Sequence, residues 1–213
     1  MNISIIDYGS GNLRSASKAL EAAADKINLK SKIVITSDLK TIKKSDKIVL
    51  PGQGSFRDCY MSIEKINGLN ETLNEFVLEN KKPILGICVG MQLFAKKGYE
   101  TQETKGFGWI DAEVKKINNI NKNFKLPHMG WNEIEFNKDC FLFSHIKNKS
   151  HVYFTHSYQF MTKQKNCIVA TTDYGNSIIA AVKKENIIGT QFHPEKSQKN
   201  GLIILENFLK WKL

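Results

Sequence analysis

The residues with most chemistry to offer stand in two short segments. In Gly86-Ile87-Cys88-Val89-Gly90 a thiol sits where an apolar run gives way to an amphipathic one, in a tight turn flanked by glycines. Such a nucleophile elbow strains the backbone and lifts the side chain clear of a sheet, while the glycines leave room for the bend and for a substrate. A thiol at a helix N-terminus also feels a positive potential, which favours the thiolate that attacks a carboxamide carbon. The other cysteines, Cys59, Cys140 and Cys167, are scattered with no C-x-x-C pair, so neither a disulfide framework nor a zinc site is suggested, and they read as buried apolar groups.

The second segment, Gln191-Phe192-His193-Pro194-Glu195, supplies a base after another predicted strand. His193 is suited to take the thiol proton and return it to departing ammonia, a role typically worth about 10²- to 10⁴-fold, with Glu195 holding the imidazole tautomer. Taken alone, the segment equally fits a surface turn or half of a metal site lacking its other ligands, and it is the elbow that favours catalysis. The remaining histidines, His128, His145, His151 and His156, show no metal-ligand spacing, so no metal is expected. The turn Pro51-Gly52-Gln53-Gly54 offers unobstructed backbone N–H groups. Gly52 with the Val89 amide would form an oxyanion hole, where losing one donor typically costs about 2.7 to 4 kcal/mol, although an ordinary type II turn reads the same way.

These groups need a scaffold, and the first half of the chain alternates as parallel α/β units do. Strands are predicted at 3–6, 33–35, 47–50 and 83–87. Helices are predicted at 13–24, at 56–78 with a break near Asn67-Gly68, and at 90–97 with Gly98 as its cap. The second half reads as mostly antiparallel strands at 111–117, 132–136, 151–154, 167–172, 178–183 and 187–192, closed by a helix over 201–211. The fold class expected is a three-layer α/β domain spanning 1–213, with a mixed, largely parallel sheet and helices on both faces, and with Cys88 at the strand-to-helix crevice where such sheets place ligands.

A hydrophobic share of 41% and a charged share of 24% are those of a globular protein able to bury a sizeable core. The start carries no basic leader and no apolar run is long enough to span a bilayer, which reads as cytoplasmic with no membrane partner. The net charge of +10 raises nucleic acid as a partner, but it comes almost wholly from lysines interleaved with acids and asparagines, with Arg14 and Arg57 the only arginines. A solvated lysine-rich surface is the better reading, and steeply salt-dependent association with DNA or RNA would overturn it.

Three segments together, Gly86-Ile87-Cys88-Val89-Gly90-Met91-Gln92, Pro51-Gly52-Gln53-Gly54 and Gln191-Phe192-His193-Pro194-Glu195-Lys196-Ser197, closely resemble the class I (triad) glutamine amidotransferases. Within that family Met91, Pro127-His128-Met129-Gly130-Trp131-Asn132 and Tyr153-Phe154-Thr155-His156-Ser157-Tyr158 are similar to the branch whose glutaminase serves imidazole glycerol phosphate synthase. The resemblance spans nearly the whole chain. It implies Cys88 as nucleophile, His193 as general base and Glu195 as its orienting carboxylate. Gly52, Gly54 and Val89 stand beside the oxyanion, and Gln92, His156, Ser157 and Tyr158 hold glutamine.

The resemblance further implies a (β/α)₈-barrel cyclase subunit that receives the ammonia in a heterodimer, forming imidazole glycerol phosphate and AICAR, with no dissociable cofactor. Asn12, Trp131, Tyr153 and Lys196 match positions facing that partner. By the same likeness the free subunit is a poor glutaminase. Two residues depart from the pattern: Gln53 in the turn, and Gln159 where a second aromatic is usual. Alternatives are a glutaminase feeding anthranilate, guanylate or surface-sugar synthesis, the first two disfavoured by Met91 and the 127–132 segment, and a scaffold that kept the fold and lost catalysis.

Overall fold

Three isoleucines dominate the first strand, β1 (Asn2–Ile6), and β-branched side chains suit a pleated surface covered on both faces. The computed structural model describes residues 1–118, 124–136 and 139–213. In chain order β1 is followed by α1 (Leu13–Lys26), β2 (Lys32–Thr36), α2 (Leu39–Lys43), β3 (Lys47–Gly52), α3 (Phe56–Lys65) and α4 (Leu69–Asn74). The centre of the chain holds β4 (Ile84–Cys88), α5 (Val89–Gln92), β5 (Lys97–Tyr99), β6 (Glu103–Lys105) and β7 (Ala112–Lys116). After these come β8 (His128–Phe136), β9 (Ser150–His156), β10 (Tyr158–Thr162), β11 (Ile168–Asp173), β12 (Ser177–Lys184), β13 (Ile187–Thr190) and α6 (Gln198–Lys210).

Among the described residues nine strands form one sheet in the order β2-β1-β3-β4-β13-β12-β11-β8-β9. Pairing is parallel from β2 to β13 and antiparallel from β13 to β9, so β13 is the seam between the two halves. A second sheet, β10-β7-β5-β6, stands beside it. The parallel strands are apolar runs, and Ile5, Ile48, Val49, Leu50, Ile84 and Leu85 have no exposed surface, as expected where helices cover both faces.

Two contacts fix which face is which. Lys47, the register partner of Ile3, sends its Nζ to the carbonyls of Phe208 and Trp211 at 2.6 and 2.5 Å, so that face meets the end of α6. Ser4, the next residue along β1, hydrogen-bonds Ser45 just past α2 on the opposite face. Lys47 also satisfies carbonyls that the end of a helix leaves without partners, and burial lowers its ammonium to about 8. Where the helices begin, Ser55 accepts from the Asp58 amide ahead of α3, and Asp38 does the same for Thr41 ahead of α2.

The predicted helix over 90–97 is corrected: α5 stops at Gln92, and Gly98 is no cap but a β5 residue. The carbonyls of Leu93 and Phe94, which would continue the helix, are taken by the amides of Phe107 and Ile110, and Lys96 pairs with Ala112. Gly98 packs there against the Phe56 ring, where a Cβ would come within 2.7 Å. Sequence reading also missed α2, β5, β6 and β10, ran β13 two residues too far, and started α6 three residues late.

Candidate active site

The elbow is built where β4 enters α5. Cys88 takes φ +55°, ψ −112°, a conformation that a side-chain-bearing residue adopts only under constraint. The constraint comes from its neighbours. Gly52 of β3 is the register partner of Cys88, and a Cβ on Gly52 would fall 2.4 Å from the Gly90 nitrogen. A Cβ on Gly90 would lie 1.8 Å from the Leu50 carbonyl oxygen, so both positions demand glycine for the elbow to seat against β3.

His193 follows β13, the strand beside β4, which brings it to the Cys88 side chain although the two are far apart in sequence. His193 Nδ1 lies 2.7 Å from Glu195 Oε1, and the two side chains are only 5% and 3% exposed. A carboxylate can only accept, so Nδ1 carries the proton and Nε2 is left toward the thiol. Nε2 is buried and closes no hydrogen bond to a described residue. Burial, the largest single influence, disfavours a charged ring, but Cys88 and Glu195 outweigh it and push His193 up to about 10. The sulfur itself is approached by Gln191 Nε2 at 3.7 Å and by the Thr155 carbonyl at 3.9 Å.

These groups open onto a cavity of about 270 Å³. Of the residues singled out in the sequence, Cys88, His193, Gly54, Val89, Gln92, His156, Ser157 and Tyr158 line it, with Glu195 behind His193. Gly52 does not line the cavity; it backs the elbow. Trp131 and Tyr153 are register partners on β8 and β9 with ring centroids 5.9 Å apart, and Lys196 Nζ stands 5.8 Å over the Tyr153 ring. Trp131 is 46% exposed and its neighbour Met129 61%, an apolar surface beside the catalytic segment. Asn12 stands at the head of α1, which packs beside the 194–196 turn. No described helix is long and apolar enough to cross a membrane.

Several lining residues were not singled out from sequence. Glu100 brings a carboxylate into the cavity wall; burial raises it above the usual carboxylate range, opposed by the Phe56 amide donating to it at 2.6 Å. Thr155 and Pro127 also line the wall; Gln53, which the sequence did mark as a departure from the family pattern in the 51–54 turn, lines it with them. Gln191 carries no role that its sequence neighbourhood suggests, although its amide joins Gln92 to the sulfur. Nothing in Gly98-Tyr99-Glu100-Thr101 sets Glu100 apart from a surface acid; only the pairing of β5, β7 and β10 carries it inward.

A buried thiol, a carboxylate-oriented imidazole and an acid-bearing cavity together suit nucleophilic attack on a carbonyl in a small molecule that carries an ammonium group. Comparison with known proteins agrees. The family described as glutamine amidotransferase class-I matches residues 4–211. A protein of Pelagibacter ubique (strain HTCC1062) named imidazole glycerol phosphate synthase subunit HisH is 59% identical over 98% of this chain and 99% of its own. One of the same name from Mesorhizobium japonicum is 44% identical over the full length of both. Among solved structures, one described as a glutamine amidotransferase superposes with a TM-score of 0.70 at 17% identity, covering 97% of this chain and 98% of that one. A glutamine amidotransferase from Thermotoga maritima superposes at 0.64 with 17% identity, covering 94% and 78%; at such identities the likeness concerns the fold alone.

Proposed function

The chain belongs to the class I glutamine amidotransferases, and from that membership we propose that it is the glutaminase subunit of an imidazole glycerol phosphate synthase. The observation carrying the chemistry is the alignment of Cys88, His193 and Glu195 at one end of the β4–β13 seam. The Cys88 thiolate attacks the side-chain carboxamide carbon of glutamine, and the oxygen that becomes negative is held by the Val89 amide and the 51–54 turn. His193 returns a proton to the departing nitrogen, leaving a thioester and ammonia. Water, deprotonated by the same ring, then releases glutamate and restores the thiol. Glu195 keeps the imidazole in the orientation both steps use.

Ammonia passes to a cyclase subunit of (β/α)₈-barrel form, which makes imidazole glycerol phosphate and AICAR in histidine biosynthesis, so lyase activity belongs to the assembled synthase. Asn12, Trp131, Tyr153 and Lys196 form the docking side, with the exposed Trp131 ring as its anchor. In this reading the heterodimer works in the cytoplasm and needs neither membrane nor nucleic acid.

Glutamate release by the purified chain, alone and with the cyclase subunit holding its ribotide ligand, tests the proposal beside a Cys88→Ala control. Stimulation by the cyclase that the control abolishes is the expected result. Glutamate release that no cyclase stimulates would remove the assignment to this synthase, and no glutamate under any condition would remove the chemistry.

A further inference from the structure

A hydrogen-bonded chain beside the cavity contains groups that the reaction above leaves unused. His128 and His156 are register partners across β8 and β9, and both are buried. His128 Nδ1 lies 3.0 Å from His156 Nε2, Asn132 Nδ2 lies 3.2 Å from His128 Nε2, and His156 Nδ1 lies 2.8 Å from the Tyr158 carbonyl oxygen. Taken alone, each ring could carry its proton on either nitrogen.

Backbone groups at both ends remove that freedom. The Tyr158 carbonyl can only accept, so His156 Nδ1 holds the proton and Nε2 is a lone pair. At the other end the Glu133 amide donates to Asn132 Oδ1, and Asn132 Nδ2 donates to the Asp173 carbonyl, each at 2.8 Å. That fixes the Asn132 amide so that its Nδ2 faces His128 Nε2, which must accept. The His128 proton therefore sits on Nδ1 and points at His156 Nε2. Burial lowers His128 to about 3 and His156 to about 4, so both rings are neutral at neutral pH. Phe154 and Tyr174 stack on His128 with centroids at 4.5 and 3.9 Å, which sets its plane.

The chain reaches the cavity at Tyr158. Gln92 Nε2 donates to the Tyr158 carbonyl and to Gln191 Oε1, both at 3.0 Å. With its two protons committed, Gln92 presents Oε1, an acceptor, to the cavity that it lines. We propose that His128 is a positioning residue for glutamine binding: by donating to His156 it locks the chain through Tyr158 to Gln92 in the orientation that offers the substrate an acceptor. The inference rests on the glutaminase reading. Without the His128 donor, the His156 Nε2 lone pair is left buried and unpaired, and the ring can regain a partner only by turning away from the Tyr158 carbonyl. The carbonyl and Gln92 would then lose their fixed place, and the loss falls on substrate binding before it falls on chemistry.

Two measurements decide it. Long-range ¹H–¹⁵N spectra of the full-length chain at neutral pH should show His128 and His156 both as the Nδ1–H tautomer, the minor one for a free imidazole. In the complex with the cyclase subunit, His128→Leu should raise KM for glutamine about tenfold while kcat changes by less than about twofold. His128→Asn, whose amide can donate in place of Nδ1, should recover most of the loss. Either ring as an Nε2–H tautomer or an imidazolium, a defect confined to kcat, or an Asn variant no better than Leu would overturn the proposal. A wild-type complex that releases no glutamate would instead defeat the glutaminase reading, with the spectra still deciding the proton order.

Discussion

His193 Nδ1 and Glu195 Oε1 lie 2.7 Å apart, and water reaches almost none of either side chain. A buried carboxylate this close to a ring both fixes its tautomer and stabilises its protonated form. Replacing Glu195 with Gln keeps the shape but removes the charge and lets the ring turn. The expected outcome is a fall in kcat of about 10²- to 10⁴-fold with little change in KM, read from glutamate release in the complex.

Glu100 is the acid in the cavity wall, and glutamine carries an α-ammonium group. If the carboxylate receives that group, Glu100→Gln should raise KM about ten- to a hundredfold, the range for a charge-assisted hydrogen bond, and should leave the rate of thiol alkylation unchanged. An unaltered KM would place the ammonium elsewhere.

All four cysteines are buried, yet only Cys88 faces the cavity. Burial raises the thiols of Cys59, Cys140 and Cys167, which keeps them protonated. Brief iodoacetamide treatment at neutral pH should therefore label Cys88 ahead of the other three by peptide mass mapping, and a glutamine-like ligand should protect it.

Acid should loosen the fold before the carboxylates titrate. His128 and His156 are held below the ordinary histidine value of 6.5, so the unfolded chain binds their protons more readily than the folded one. Their contribution is complete above 6.5 and is lost as pH falls toward about 4 and about 3. His193, raised to about 10, does the reverse: its contribution is full below 6.5 and is lost as pH rises from there through about 10. The denaturation midpoint should thus drop between pH 6.5 and 5, and the slope should flatten in a variant with His128 replaced by Phe.

Trp131 stands out from the sheet with the Tyr153 ring beneath it and Lys196 beyond. Exposed aromatic anchors dominate interface energies, so Trp131→Ala should weaken cyclase binding by about 2 kcal/mol, or about thirtyfold in Kd by calorimetry. Thermal stability of the free chain should hardly move.

The sequence made the local geometry legible and the tertiary geometry only in part. Cys88 declared itself because an elbow is a short-range pattern of glycines around a strand end, and His193 because its carboxylate lies two positions away. Glu100 and Gln191 did not, since their importance comes from strands paired across the chain. The early end of α5 has the same origin: Phe107 and Ile110 claim carbonyls that local propensity would have assigned to a longer helix. His128 was visible as a residue, but its proton-ordered partner His156 meets it only through the β8–β9 register, while Asn132 reaches it from four positions along the same strand.

The seam at β13 also sets when the reactive thiol acquires its partner during folding. Gln191 and Cys88 touch across 103 positions of sequence, and His193 comes with the same strand. The elbow is seated on β3 and β4, and the base arrives only with the docking of β13 on β4, a long-range closure of the kind that is slow to form. A chain in which β13 has not docked carries a nucleophile with no base to serve it.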